Sequence, residues 1–181
     1  MRKLLTLIFA LAAVLFTSAA FAQEFKVSSK DLGKNFGAAY HADNFGCKGD
    51  NISPALAWVN APKGTAAFAV IMFDGDARGG VGFWHWLAYN IPADVNGLAR
   101  GAGNPATGLL PNGALMARND AFAHGYTGPC PPPGEKHLYK ITVYALKKII
   151  TIPPAATPVQ AAKIIADNSI GSAVISAHAK Q

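Results

Sequence analysis

Charge is what this chain has little of: only 14% of its 181 residues are Asp, Glu, Lys or Arg. Sixteen Lys and Arg against ten Asp and Glu leave a formal +6, but the excess is thinly spread. Beyond the N-terminus the longest basic run is Lys147-Lys148, so no continuous face could track a nucleic-acid backbone. No internal repeat and no low-complexity stretch is present, which excludes solenoids and arrays. After the first residues, no segment reaches membrane-spanning length without a charge, a proline or a glycine, so no membrane span is expected. The Gly-x-Ser-x-Gly elbow of many hydrolases is also missing. What is abundant is apolar side chain, 51% of residues, with 18 Gly and 12 Pro that follow no period. That composition excludes a disordered chain and a collagen, and points to one turn-rich, strand-rich globular domain.

The first 22 residues read as an address. Met1-Arg2-Lys3 is a positive leader, Leu4 to Phe16 is apolar apart from Thr6, and Ala20-Phe21-Ala22 has the small-x-small form of a cleavage site. Residues 1–22 are therefore expected to be a secretory signal peptide cleaved after Ala22, leaving a single domain over residues 23–181. The apolar run is shorter than a membrane anchor requires, and no cysteine at the cleavage site suggests a lipoprotein. The expected location is periplasmic or secreted. Export gives the two cysteines, Cys47 and Cys130, a reason to pair as a disulfide; the alternatives are two buried thiols or a thiol nucleophile.

Hydrophobic patterning places strands at residues 55–60, 66–73, 81–91 and 137–146. An extended segment with loops precedes them, and a Gly- and Pro-containing loop spans residues 97–113. Thr157-Pro158 offers an N-cap with proline at the first helical position, opening a helix that runs to Asn168. Residues 170–180 are expected to form a second short helix. Strands first and helices last predict a mostly β fold, an antiparallel sandwich of two sheets with one or two peripheral C-terminal helices.

Three polar clusters sit at the ends of the strong strands. The period of two puts Asp74 and Asp76 on the face of Val70 and Met72, so both carboxylates leave a core strand on one side. The same period groups His85 with Phe83 and Leu87, and His137 with Tyr139. Before that last strand lies the proline-stiffened stretch from Gly125 to Gly134, in which Gly128 supplies an N–H that a ligand could approach closely. Each feature has a plainer reading: a satisfied core histidine, aspartates that cap a turn, a stiff loop, half-exposed strand residues. Together they compose a small anion pocket in which a carboxylate fixes the tautomer of an imidazole.

At these residues the sequence resembles the phosphatidylethanolamine-binding protein family, also called the Raf kinase inhibitor protein family, and most closely its bacterial branch. The matching stretches are Asn51-Ile52-Ser53-Pro54-Ala55-Leu56-Ala57-Trp58, Pro62-Lys63-Gly64-Thr65, Phe73-Asp74-Gly75-Asp76-Ala77 and Trp84-His85-Trp86. They continue through Asn90-Ile91-Pro92, Gly113-Ala114, Arg118-Asn119-Asp120, Gly125-Tyr126, Gly128-Pro129-Cys130-Pro131-Pro132 and His137-Leu138-Tyr139. The resemblance implies a two-sheet sandwich and a pocket at one end of the larger sheet for phosphate-like anions or phospho-headgroups. It carries Asp74, Asp76, His85, Gly128, Pro129, His137 and Tyr139 over as ligand-binding residues. His85, Tyr139 and the Gly128 N–H are expected on the anion, and Asp74 is expected to orient His85. Two departures stand out. Asp74-Gly75-Asp76-Ala77-Arg78 lacks the family's two prolines, and Leu138 stands where many members carry a basic residue.

The expected function is that of an exported, non-enzymatic binding protein with no cofactor and no metal. Its partner would be a small phosphorylated or otherwise anionic ligand. The alternative is an inhibitor or modulator of a protein partner that docks on the same pocket. A hydrolase is disfavoured, Ser53 being the only serine inside a matched motif. An apolar sandwich edge leaves a homodimer open.

Overall fold

The computed structural model of the chain describes residues 23–181; the expected signal peptide lies outside the described residues. In chain order the elements are β1 (Lys26–Ser28), β2 (Leu56–Val59), β3 (Ala67–Asp74), the single irregular turn α1 (Ala77–Gly80), β4 (Phe83–Pro92) and β5 (Gly97–Leu98). Then come β6 (Leu115–Met116), β7 (Lys136–Leu146), α2 (Pro158–Asp167) and β8 (Ser169–Lys180). A three-stranded sheet in the order β1-β2-β5 faces a five-stranded sheet in the order β6-β4-β3-β7-β8, and every pairing between strands is antiparallel. The fold is mostly β, a two-sheet sandwich, as the patterning predicts.

Strand β3 explains the architecture. It is central in the larger sheet and apolar on both faces because both faces are covered. Phe68, Val70 and Met72 pack with Leu56 and Trp58 of the small sheet in the main core. Ala67, Ala69 and Ile71 face the other way, into a second core that includes Ile150, Ala161 and Ile165. Helix α2 covers that second face. Its start is fixed by a capping box: the Thr157 hydroxyl accepts the Gln160 N–H (3.3 Å), and the Gln160 side chain accepts the Thr157 N–H (2.8 Å).

The second expected helix does not form. Residues 169–180 are instead β8, paired along β7 from Lys136↔Lys180 to Leu146↔Ser169. The alanines of this segment are strand positions: Ala173, Ala177 and Ala179 lie buried in the main core. An unpaired edge on β7 would leave a row of backbone donors and acceptors unmatched, and the ladder outweighs alanine's local helix preference.

Of the two register shifts in the β3–β4 ladder, the one between Met72 and Phe73 matters for the site. Phe73 pairs with Trp84 and Met72 with Trp86, so His85 is an extra residue with no partner on β3. This is a β-bulge, which breaks the period of two and re-aims a side chain.

Candidate functional site

One row of the larger sheet supplies the base of the site. Asp74 lies opposite Phe83 on one side and Tyr139 on the other, at the open end of β3, β4 and β7. Because of the bulge, His85 does not share a face with Leu87. Its ring stands edge-on to Tyr139 at 5.2 Å and beside Phe83 at 4.6 Å, whereas Leu87 packs in the second core. These residues and the loop before β7 enclose a cavity of about 510 Å³. Asp74, Asp76, His85, Gly128, His137 and Tyr139 all line it. Of the residues expected there, Pro129 alone does not. It sits behind the wall, where its carbonyl accepts the Ala42 N–H at 3.1 Å.

The hydrogen bonds assign different roles from those expected. Asp74 does not orient His85. Its Oδ1 accepts the backbone N–H groups of Asp76 (2.9 Å) and Ala77 (3.2 Å), and its Oδ2 accepts His137 Nδ1 at 2.7 Å. Asp74 is thus a turn former and a charge partner at once, because the turn occupies only one of its two oxygens. The other nitrogen of His137 donates to Glu135 Oε2 at 2.9 Å. An imidazole that donates from both nitrogens to carboxylates is an imidazolium. Burial alone would favour its neutral form, but hydrogen bonds and charge from Glu135 and Asp74 outweigh it and raise the His137 pKa above its ordinary value.

His85 is held by the loop rather than by a carboxylate. Its Nδ1 meets the Thr127 carbonyl at 2.8 Å, and the Thr127 N–H returns to the His85 carbonyl at 3.0 Å. A carbonyl only accepts, so the proton sits on Nδ1. Burial pushes the His85 pKa down to about 4, against smaller raising effects of the Thr127 bond and the Asp74 charge. At neutral pH the ring is uncharged. Tyr139 stays protonated, since burial and then the neighbouring Asp74 charge raise its phenol far above the ordinary value.

Gly128 also departs from expectation. Its N–H is taken by Asn51 Oδ1 at 2.8 Å, so it is not free for an anion. The residue must be glycine for a packing reason: a Cβ would sit 2.3 Å from the Tyr40 carbonyl oxygen and 2.5 Å from the Ala42 nitrogen. Asp76, besides lining the cavity, accepts the Leu138 N–H at 2.7 Å and ties the turn after β3 to β7. Cys47 and Cys130 are joined in a disulfide with a Cα–Cα distance of 5.8 Å. Ser53 lies fully buried, its hydroxyl accepting the Gly103 N–H at 2.8 Å, away from the cavity.

Further residues complete the site beyond those expected as ligand contacts. Glu135 completes the His137 pair. Arg78 lies over the Phe83 ring at 4.7 Å and 3.8 Å from Asp120, with both Arg78 and the rim residue Phe45 in the left-handed backbone region, at φ 54° and 55°. Asn119 is the hidden strut. Buried at 1% exposure, it donates to the His85 carbonyl (2.9 Å), the Gly125 carbonyl (3.1 Å) and the Thr127 hydroxyl (2.9 Å), joining β4 to the loop that holds His85. It stands in the quoted Arg118-Asn119-Asp120 motif, which was the one available pointer. Among the described residues no cluster of three or more His, Cys, Asp or Glu is arranged to hold a metal ion, and no helix is long and apolar enough to cross a membrane.

Known proteins share this chain's sequence and fold. The profile of the family described as "Phosphatidylethanolamine-binding protein" matches residues 28–180. YbcL of Escherichia coli, a UPF0098 protein, is 42% identical over 145 residues, covering 78% of this chain and 79% of YbcL. A second UPF0098 protein of Escherichia coli, YbhB, is 43% identical over 123 residues, 67% of this chain and 77% of YbhB. The crystal structure of YbcL, described as a member of the mammalian PEBP family, superposes with a TM-score of 0.84 at 37% identity, covering 88% of this chain and 99% of that one. On the fold, the profile match and these relatives, the chain belongs to the phosphatidylethanolamine-binding protein family.

Proposed function

We propose that this chain is an exported, non-enzymatic binding protein whose cavity at the end of the larger sheet takes a small phosphate-like anion or phospho-headgroup. One observation carries the reading: a cavity of about 510 Å³ in which an imidazolium, a neutral imidazole and a protonated phenol converge, the two imidazoles each held by hydrogen bonds to the fold. Concave sites with a few convergent polar groups on an apolar base suit small ligands. The Cys47–Cys130 disulfide supports export, since such bonds persist in oxidising compartments. So does a relative in Mycobacterium tuberculosis that bears the name "Putative lipoprotein LppC", 42% identical over 130 residues.

The test is an NMR titration of residues 23–181 with inorganic phosphate, following the imidazole signals of His85 and His137 beside a His85→Ala control. Saturable shifts that vanish in the control support the reading; silence up to millimolar phosphate defeats it. A second reading, docking of a protein partner's side chain, draws support from the mouth of the cavity. Phe45 lines it and is 65% exposed, and Val81, just beyond the turn that carries Arg78, is 78% exposed. Capture of a partner that is lost in Phe45→Ser while phosphate binding persists would favour it.

A further inference from the structure

The cavity offers its ligand acceptors more than donors. Both nitrogens of His137 are already committed to Asp74 and Glu135. The Gly128 N–H is committed to Asn51, and the Thr127 N–H to the His85 carbonyl. His85, which lines the cavity, gives its one proton to the Thr127 carbonyl, so its Nε2 carries a lone pair. No carboxylate is paired with His85 to charge it. From β3 the nearest acid is Asp74, which is spent on His137 and on its own turn. From the turn beyond β3 come Asp76, bonded to the Leu138 N–H, and Arg78, which faces Asp120 at 3.8 Å. From β7 and the residues before it come the Tyr139 phenol, the His137 imidazolium and the Glu135 carboxylate that offsets it. A bare oxyanion placed against His85 Nε2 would set lone pair against lone pair beside three carboxylates.

We infer that the ligand group seated against His85 brings its own proton: the site selects a phosphate that carries a P–OH, such as inorganic phosphate or an acid-form phosphomonoester, over sulfate and over phosphodiesters. This deepens the anion-binding reading of the same cavity and rests on it. The P–OH donates to Nε2, while the remaining oxygens turn toward Tyr139 and Arg78. Free phosphate and small monoesters satisfy this chemistry; the diester of an intact phospholipid does not.

Isothermal titration of residues 23–181 with four soluble probes separates the cases: inorganic phosphate, phosphoethanolamine, glycerophosphoethanolamine and sulfate. At pH 5.5 the first two should bind, and the diester and sulfate should bind about tenfold more weakly or worse, for want of the donor. At pH 8 inorganic phosphate still carries a proton and should stay bound. Phosphoethanolamine, whose second ionisation lies near pH 6, should lose about tenfold in affinity per pH unit above it. Loss of the His137 charge would instead weaken inorganic phosphate along with the monoester. In His85→Gln, an amide N–H replaces the lone pair, and the ratio of phosphate to sulfate affinity should fall toward one. Sulfate or the diester binding as tightly as phosphate to the unaltered protein would overturn the inference while leaving anion binding intact. No binding of any probe at pH 5.5 would defeat anion binding itself.

Discussion

Asp74→Asn is the most informative single change, because it separates two assignments of one carboxylate. Asparagine keeps the Oδ1 acceptor that receives the Asp76 and Ala77 N–H groups, so the turn after β3 should survive. What disappears is the charge 2.7 Å from His137 Nδ1. Breaking a buried ion pair costs about 3–5 kcal/mol when the partner's charge is stranded. Here His137 can lose its proton, keep its bond from Nε2 to Glu135, and accept from the new amide. The expected loss is therefore smaller, about 1–3 kcal/mol, typical of a weakened buried hydrogen bond. The pH dependence follows from the raised His137 pKa. A histidine raised on folding contributes stability that is complete below its unfolded value of about 6.5 and fades as pH rises through its folded value. The gap between the two proteins should thus be widest near pH 6 and narrow toward pH 9. Urea unfolding across that range measures the gap, and NMR titration of the imidazoles measures its cause. The His137 midpoint should fall in Asp74→Asn while that of His85 moves little. A large His85 shift with an unchanged His137 would refute the pairing.

Three further outcomes are expected. The unfolded chain takes up a proton at His85 near pH 6.5, and the folded one only near pH 4. Stability should therefore drop by about 3 kcal/mol as pH falls through that window; urea midpoints of His85→Gln should lack most of this drop, and an identical acid profile would count against a neutral His85. Gly128→Ala drives a methyl into the Tyr40 and Ala42 backbone and should cost about 3 kcal/mol, the upper end for overpacking; a urea midpoint matching that of the unaltered protein would show that the loop can give way. Reducing the Cys47–Cys130 bond, which links positions 83 apart, should remove about 4.5 kcal/mol in the chain-entropy account; equal thermal midpoints with and without reductant would refute it.

The strands that carry the fold were legible because burial on both faces writes itself as a continuous apolar run, as in Phe68 to Phe73, and as alternation in Ile141 to Tyr144. The capped helix was legible because Thr157, Pro158 and Gln160 act locally. Residues 169–180 were not, because their state is decided by a neighbour. Alanines spaced along Ala173, Ala177 and Ala179 suit either period, and the open edge of β7 selects the strand.

The site divides along the same line. Which residues meet at the end of the sheet follows from strand ends and from the order of short motifs, all of which are properties of the chain read in sequence. Which residue bonds to which depends on the offset between strands. Alternation alone put His85 beside Leu87, and the family resemblance set Asp74 to orient it. One extra residue in β4, visible only as the step from Phe73↔Trp84 to Met72↔Trp86, instead aims the imidazole at Tyr139 and Thr127. Asp74 is left to His137, one row along the sheet. The charge of the cavity changes with that step. A carboxylate-paired His85 would be a cation that welcomes any oxyanion, whereas a carbonyl-held His85 is a neutral acceptor that asks for a proton. On the proposed anion-binding reading, the bulge at His85 therefore decides both the stability of the protein in acid and the form of phosphate the cavity would take.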